Sequence, residues 1–172
     1  QLSINLHMTI SYKKRTKGTY FPPGDKSISH RILILTGQAV GESQISNLLE
    51  GEDVLNTLKV MKMLGANIKK KDGKYTVFGL PPGALFQPTN PLDFGNSGTG
   101  IRLISGLIAS NNIKAKLIGD KSLSARPMRR VTDHLKKIGA IIELRKDSFP
   151  PISIQGIGDA VPFKYNILIP SA

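Results

Sequence analysis

The 172-residue chain has no cysteine and no tryptophan. Without thiols there is neither a disulfide nor a thiolate metal site. Histidine is scarce, at positions 7, 30 and 134, and no HExxH-type spacing occurs. The sequence therefore predicts no metal centre. Aromatic residues make up 6% of the chain and are not interleaved with the basic runs. That argues against a stacking platform for single-stranded nucleic acid. No apolar run reaches the roughly 20 residues that span a bilayer, and residues 1–20 lack a signal-peptide core. Acidic residues are few: 12 against 24 Lys and Arg, a formal net charge of +12. The expectation is a soluble, cytoplasmic protein with no nucleic-acid or membrane partner.

Apolar residues reach 40%, enough for the packed core of one domain or part of one. The basic clusters Lys13-Lys14-Arg15, Lys69-Lys70-Lys71, Arg129-Arg130 and Lys136-Lys137 are scattered. They read as solvated faces and loop tips, with a general positive field that gathers a small anion.

The stretch Gly24-Asp25-Lys26-Ser27-Ile28-Ser29-His30-Arg31 organises the chain. Pro22, Pro23 and Gly24 forbid a helix before it, and Asp25 or Ser27 can cap one there. A helix over about Ser27–Ala39 would put Ser27 and Arg31 on one face. Unpaired N–H groups, Lys26 and Arg31 then converge where a phosphate or carboxylate would bind. A merely solvated cap is the alternative for such a set.

Further along, Glu42–Leu48 reads as a strand and Glu50, Glu52 and Asp53 as caps of a helix over about Val54–Leu64. Gly65 ends that helix. Ala66–Lys70 and Tyr75–Gly79 form a hairpin about Asp72-Gly73. The pattern then recurs. Gly95-Asn96-Ser97-Gly98-Thr99-Gly100-Ile101-Arg102 turns into a helix ending near Ala109, followed by a strand over Ala115–Ile118. A helix begins at Pro127 and ends near Ile138, and strands follow over Ala140–Leu144 and Ile152–Gln155. Gly24 and Gly95, like Arg31 and Arg102, are 71 residues apart; Gly65 and Gly139 are 74 apart. The expected class is α/β, with repeated β-α-β-α-β-β units at about 20–85 and 88–158. A third unit begins at about 160–172, with a strand over Asn166–Ile169, and is cut short. Residues 1–19 form a separate N-terminal segment, strand-like over Leu2–Ile10, with Met8 a candidate start. Helix ends from both units would face one cleft, bringing Lys26, Ser27 and Arg31 to Asn96, Gly98, Thr99 and Arg102. The loop at 119–127 would add Arg126 or Lys121, and the bland reading of Lys121 and Arg129 is surface charge.

The blocks at 24–31, at 95–103 and at 119–128 (Gly-Asp-Lys-Ser-Leu-Ser-Ala-Arg-Pro-Met) resemble the 3-phosphoshikimate 1-carboxyvinyltransferases, or EPSP synthases, in order. The likeness covers residues 18–172 and corresponds to the first part of a family built from two domains, each of three such units. It implies transfer of the enolpyruvyl group of phosphoenolpyruvate to the 5-hydroxyl of shikimate 3-phosphate, without metal or cofactor, by a monomer. Residues 1–19 would then belong to the family's second domain. Lys26, Ser27 and Arg31 would hold shikimate 3-phosphate, and Lys26 would also touch phosphoenolpyruvate as the catalytic residue. Gly98 and Arg126 would belong to the phosphoenolpyruvate site with Asn96 close by. Ser171 would open a later shikimate-phosphate motif. The herbicide glyphosate, which competes with phosphoenolpyruvate in this family, would find room at Gly98. The family's main acid/base carboxylates lie in the second domain, so the chain alone should be inactive. A UDP-sugar enolpyruvyl transferase is the nearest alternative, but its usual cysteine would fall in the loop at 119–126. A basic RNA-binding or RNA-end-processing module, sharing the repeated unit, is another.

Overall fold

A computed structural model describes residues 17–165. The expected strand at 2–10, the third-unit strand at 166–169 and Ser171 lie outside the described residues. Four helices and seven strands follow in the order α1 (Lys26–Gly37), β1 (Gly41–Ile45), α2 (Glu52–Met63), β2 (Asn67–Lys71), β3 (Lys74–Gly79), β4 (Leu92–Asp93), α3 (Gly98–Ala109), β5 (Lys114–Ile118), α4 (Arg129–Lys137), β6 (Ile141–Arg145) and β7 (Phe149–Gln155). A 3-10 turn at Leu123–Ala125 separates β5 from α4. The fold is mixed α/β.

The strands form two sheets, ordered β1-β3-β2 and β4-β5-β7-β6. In each, a hairpin (β2–β3 or β6–β7) places its second strand antiparallel to β1 or β5. Asp72 and Gly73 at the first hairpin tip both take positive φ, 49° and 73°, as a tight two-residue turn requires. Lys146 and Asp147 take the same region at the second tip, without a glycine to announce it. Strand β7 alternates, burying Pro150, Ile152 and Ile154 on one face, and so runs further than expected.

Helices α1 and α2 cover the first sheet, α3 and α4 the second, and α3 packs against both α1 and α2. The core between them contains Leu33, Met61, Leu64, Phe94, Ile101, Ile104, Ile108 and Leu117, all fully buried. Gly65 and Gly139, with φ of 105° and 108°, let the chain leave α2 and α4.

Strand β1 ends at Ile45, short of the expected Leu48, and two further differences have clear reasons. Helix α4 starts at Arg129, not Pro127: Met128, with φ of −111° and ψ of −6°, stands as the N-cap, and its N–H is satisfied by Ser148 O at 2.8 Å. The segment before α1 forms no strand, although β4 stands in the corresponding place before α3. There the Phe94 N–H donates to Ile118 O at 3.0 Å. Seventy-one residues earlier the pair is Pro23 and Asn47, and proline has no N–H to donate. The contact is kept by other means: Asn47 Nδ2 donates to Pro22 O at 3.4 Å.

Candidate functional site

Helix α1 begins where Asp25 Oδ1 accepts the Ile28 N–H at 2.7 Å. Asp25 is therefore the cap, and Ser27 is left exposed in the first turn. One turn on, Arg31 Nη1 donates to Ser27 O at 3.0 Å. Helix α3 repeats this device: Ser97 caps it through Gly100 N–H, and Arg102 Nη1 donates to Gly98 O at 2.9 Å. In both arginines Nη1 is tied to the preceding turn, which limits the freedom of the planar fork.

Ser27 and Arg31 of α1, Thr99, Arg102 and Leu103 of α3, and Arg130 and Val131 of α4 line one cleft of about 450 Å³. Three guanidiniums face it, and none of its lining residues is acidic. Arg102 also donates to Pro127 O at 3.1 Å, which ties α3 to the start of α4. Burial and then the positive charges of Arg126 and Arg130 lower its pKa, although an arginine stays charged. Such mutual repulsion is relieved when an anion enters.

Beside the cleft, Arg126 Nη2 donates to Asn96 Oδ1 and lies 3.4 Å from Ser122 Oγ. Gly98 stands between two arginines: a Cβ there would lie 3.0 Å from both Arg102 Nη1 and Arg126 Nη1. At the other edge Lys26 is turned toward α2, where its ammonium pairs with Asp53 Oδ2. Burial alone would raise the Asp53 carboxyl, but the bond and charge of Lys26, aided by His30 and the Val54 N–H, bring it below the usual carboxylate range.

The structure thus joins Ser27, Arg31, Thr99 and Arg102 in one cleft, with Asn96, Gly98 and Arg126 adjoining. Lys26 is adjacent in the chain but engaged with Asp53. Lys121 lies elsewhere, lining a separate hollow with Arg145 and Phe149. Arg129 pairs with Asp133 on the surface at 3.1 Å. The expectation that Glu50, Glu52 and Asp53 serve as caps needs correction. The cap of α2 is Gly51, with no side-chain bond; Glu50 pairs with Lys70 at 2.6 Å, and Asp53 holds Lys26. Arg130 and Asp53 are the site residues that sequence reasoning missed. Arg130 follows Arg126 by four positions, but an assumed helix through Pro127 gave no reason to separate it from Arg129. Among the described residues no cluster of three or more His, Asp or Glu could hold a metal, and no helix is long and apolar enough to cross a membrane.

The chain is a mixed α/β protein whose helix starts bring three arginines to one cleft, an arrangement that suits an anion. The sequence model described as EPSP synthase (3-phosphoshikimate 1-carboxyvinyltransferase) matches residues 10–172. The chain is 49% identical over 156 residues to the 3-phosphoshikimate 1-carboxyvinyltransferase of Parvibaculum lavamentivorans, covering 90% of this chain and 35% of that one. It is 48% identical over 166 residues to the protein of that name from a Ruegeria species, covering 96% and 37%. An EPSP synthase structure from Acinetobacter baumannii superposes with a TM-score of 0.85 at 37% identity, covering 90% of this chain and 35% of the other. The chain belongs to the EPSP synthase family, and it spans about 35% of the length of these relatives.

Proposed function

We propose that this chain is part of an enzyme that transfers the enolpyruvyl group of phosphoenolpyruvate to the 5-hydroxyl of shikimate 3-phosphate. In the addition step the 5-hydroxyl gives up its proton and its oxygen bonds to C2 of phosphoenolpyruvate while the methylene takes up a proton to become methyl. In the elimination step the bond from C2 to the phosphate oxygen breaks, phosphate leaves and a methyl proton is lost, restoring the carbon–carbon double bond as an enol ether. The observation that carries the reading is the cleft of Ser27, Arg31, Arg102 and Arg130, with Gly98 and Arg126 at its edge. Two anions repel each other in water, and a fixed positive field offsets that repulsion and converts their encounter into a unimolecular step.

In this reading Ser27 and Arg31 hold shikimate 3-phosphate, Asn96, Gly98 and Arg126 flank phosphoenolpyruvate, and Lys26 bridges the two. Ser171 joins the shikimate-phosphate ligands. The substrates are small molecules, and the whole protein is a cytoplasmic monomer. Its architecture is a set of repeated units, β-α-β-α-β-β at about 88–158 and the same without its first strand at about 20–85, with a third beginning at about 160. Supporting this are the matching orders β1-β3-β2 and β5-β7-β6 and the 71-residue spacing of the two arginine-to-turn bonds. Residues 1–19 belong to the second domain.

Calorimetric titration of shikimate 3-phosphate into wild type, Lys26→Ala and Arg31→Ala tests the assignment. Loss of a charged contact is expected to weaken binding by about 1.5–3 kcal/mol. Unchanged binding in both variants would remove the α1 terminus from the site.

A further inference from the structure

His30 is wholly buried, one turn from Lys26 on α1, and the proposed reaction leaves it without a role. Its Nδ1 lies 2.8 Å from the hydroxyl of Thr57, itself fully buried on α2. Its Nε2 has no hydrogen-bond partner and lies 3.9 Å from Asp53 Oδ2, the oxygen that holds Lys26. A buried polar nitrogen left without a partner is costly, so its orientation needs a cause.

Two neutral tautomers are open to the ring. With the proton on Nδ1, a lone pair on Nε2 would face the Asp53 carboxylate 3.9 Å away, two acceptors opposed. With the proton on Nε2, the Thr57 hydroxyl donates to Nδ1 and the Nε2–H points at Asp53. The hydroxyl's other acceptor, Asp53 O, is at 3.4 Å, so the short contact to Nδ1 is the better use of its proton. A neutral ring also suits the surroundings. Asp53 faces it from α2, while Lys26 and Arg31 on its own helix oppose a further positive charge, and burial holds its pKa below the ordinary value.

We propose that His30 is a positioning residue: Thr57 fixes its Nε2–H toward Asp53, and Asp53, so oriented, presents the Lys26 ammonium at the edge of the cleft. Its value is greatest when an anion draws Lys26 away. A small rotation of the Asp53 carboxylate then closes the 3.9 Å gap, and His30 replaces the lost partner. Catalytic relevance rests on the reading of Lys26 as a substrate ligand; the relay itself does not.

Nitrogen-15 spectra of histidine side chains in residues 1–172 test it without any ligand, so the outcome is independent of the calorimetry. His30 is expected as the Nε2–H tautomer at pH 8, and to take up its second proton only at lower pH than an exposed histidine, because burial opposes the charged ring. Thr57→Val keeps the side-chain shape and removes the hydroxyl. It is expected to give a mixture of tautomers at His30 and to move the Lys26 13Cε resonance, although Thr57 does not touch Lys26. His30→Phe is expected to move that resonance as well. An Nδ1–H tautomer in the wild type would overturn the proposal. So would an unmoved Lys26 resonance in folded Thr57→Val, which carries the test even where His30→Phe does not fold.

Discussion

Gly98 opens α3 with a φ outside the left-handed region, which at this turn is taken by Gly95 at 51°. Alanine at 98 therefore meets no backbone strain. Its Cβ meets the flexible ends of Arg102 and Arg126 instead. The fold should tolerate this while the guanidinium at the proposed phosphoenolpyruvate site gives way. Glyphosate, the longer ligand, should suffer more than the substrate. In a full-length enzyme carrying Gly98→Ala, the inhibition constant is expected to rise more than KM, with an unchanged melting temperature. Equal losses for both ligands and a lowered melting temperature would take Gly98 out of the site. A second residue-scale expectation concerns acid. His30 and Asp53 both have lowered pKa values in the fold, so the unfolded chain binds more protons and stability falls with pH. The loss begins below about 6.5 for His30 and below about 3.8 for Asp53, their ordinary values. Melting temperatures measured across pH should show both stages, and His30→Phe should erase the first.

At the scale of elements, two glycines do matching work. Gly79 ends β3 against α1, where a Cβ would fall 2.3 Å from Thr36 O; Gly156 follows β7 against α3, where it would fall 2.0 Å from Ile108 O. Backbone cannot yield there, so Gly79→Ala and Gly156→Ala should each destabilise the chain. Gly106 is the contrast: it lies inside α3 with open space around it. Alanine there should stabilise by about 0.5–1 kcal/mol through the lost freedom of the unfolded chain. Denaturant midpoints for the three variants decide this, and a stabilised Gly79→Ala would show that the close approach is not rigid. Helices and hairpins were legible because periodicity and glycine punctuation are local. The α1 cap, the Asp72-Gly73 turn and the ends of α2 and α4 follow from a few neighbouring residues. The missing strand before α1 was not legible, because the acceptor at Asn47 that Pro23 fails to meet is set by tertiary pairing. Nor was the length of β7, whose hairpin tip at Lys146-Asp147 carries no turn residue stronger than aspartate.

At the scale of the whole molecule, the sequence pointed to an anion site because cations recur at helix starts, and the structure brings Arg31, Arg102 and Arg130 to one cleft. Partner choice was not legible. Asp53 looked like a cap because acidic residues commonly open helices, and only the packing of α1 on α2 reveals that it holds Lys26. The same accounting decides what these residues can do alone. Transfer needs one group to protonate the methylene of phosphoenolpyruvate and one to take the proton of the 5-hydroxyl. Around the cleft five carboxylates already have partners, while Glu52, whose Oε1 would lie 3.7 Å from a Cβ at Gly95, has none among the described residues. Asp25 caps Ile28, Asp53 holds Lys26, Asp93 accepts from Gly95 N–H, Asp120 from Leu123 N–H, and Asp133 pairs with Arg129. Asp53 is also shifted toward the ionised form, the wrong direction for a proton donor at neutral pH. Because the resemblance puts the family's main acid/base carboxylates in the second domain, residues 1–172 are expected to release no phosphate from phosphoenolpyruvate and shikimate 3-phosphate together, even where calorimetry detects binding. A continuous phosphate assay on the purified chain makes the test. Sustained turnover that survives Lys26→Ala would point to a contaminant. Turnover lost in that variant would mean that the acid/base groups of the reaction lie among these residues after all, with His30 and Asp53 the first pair to examine.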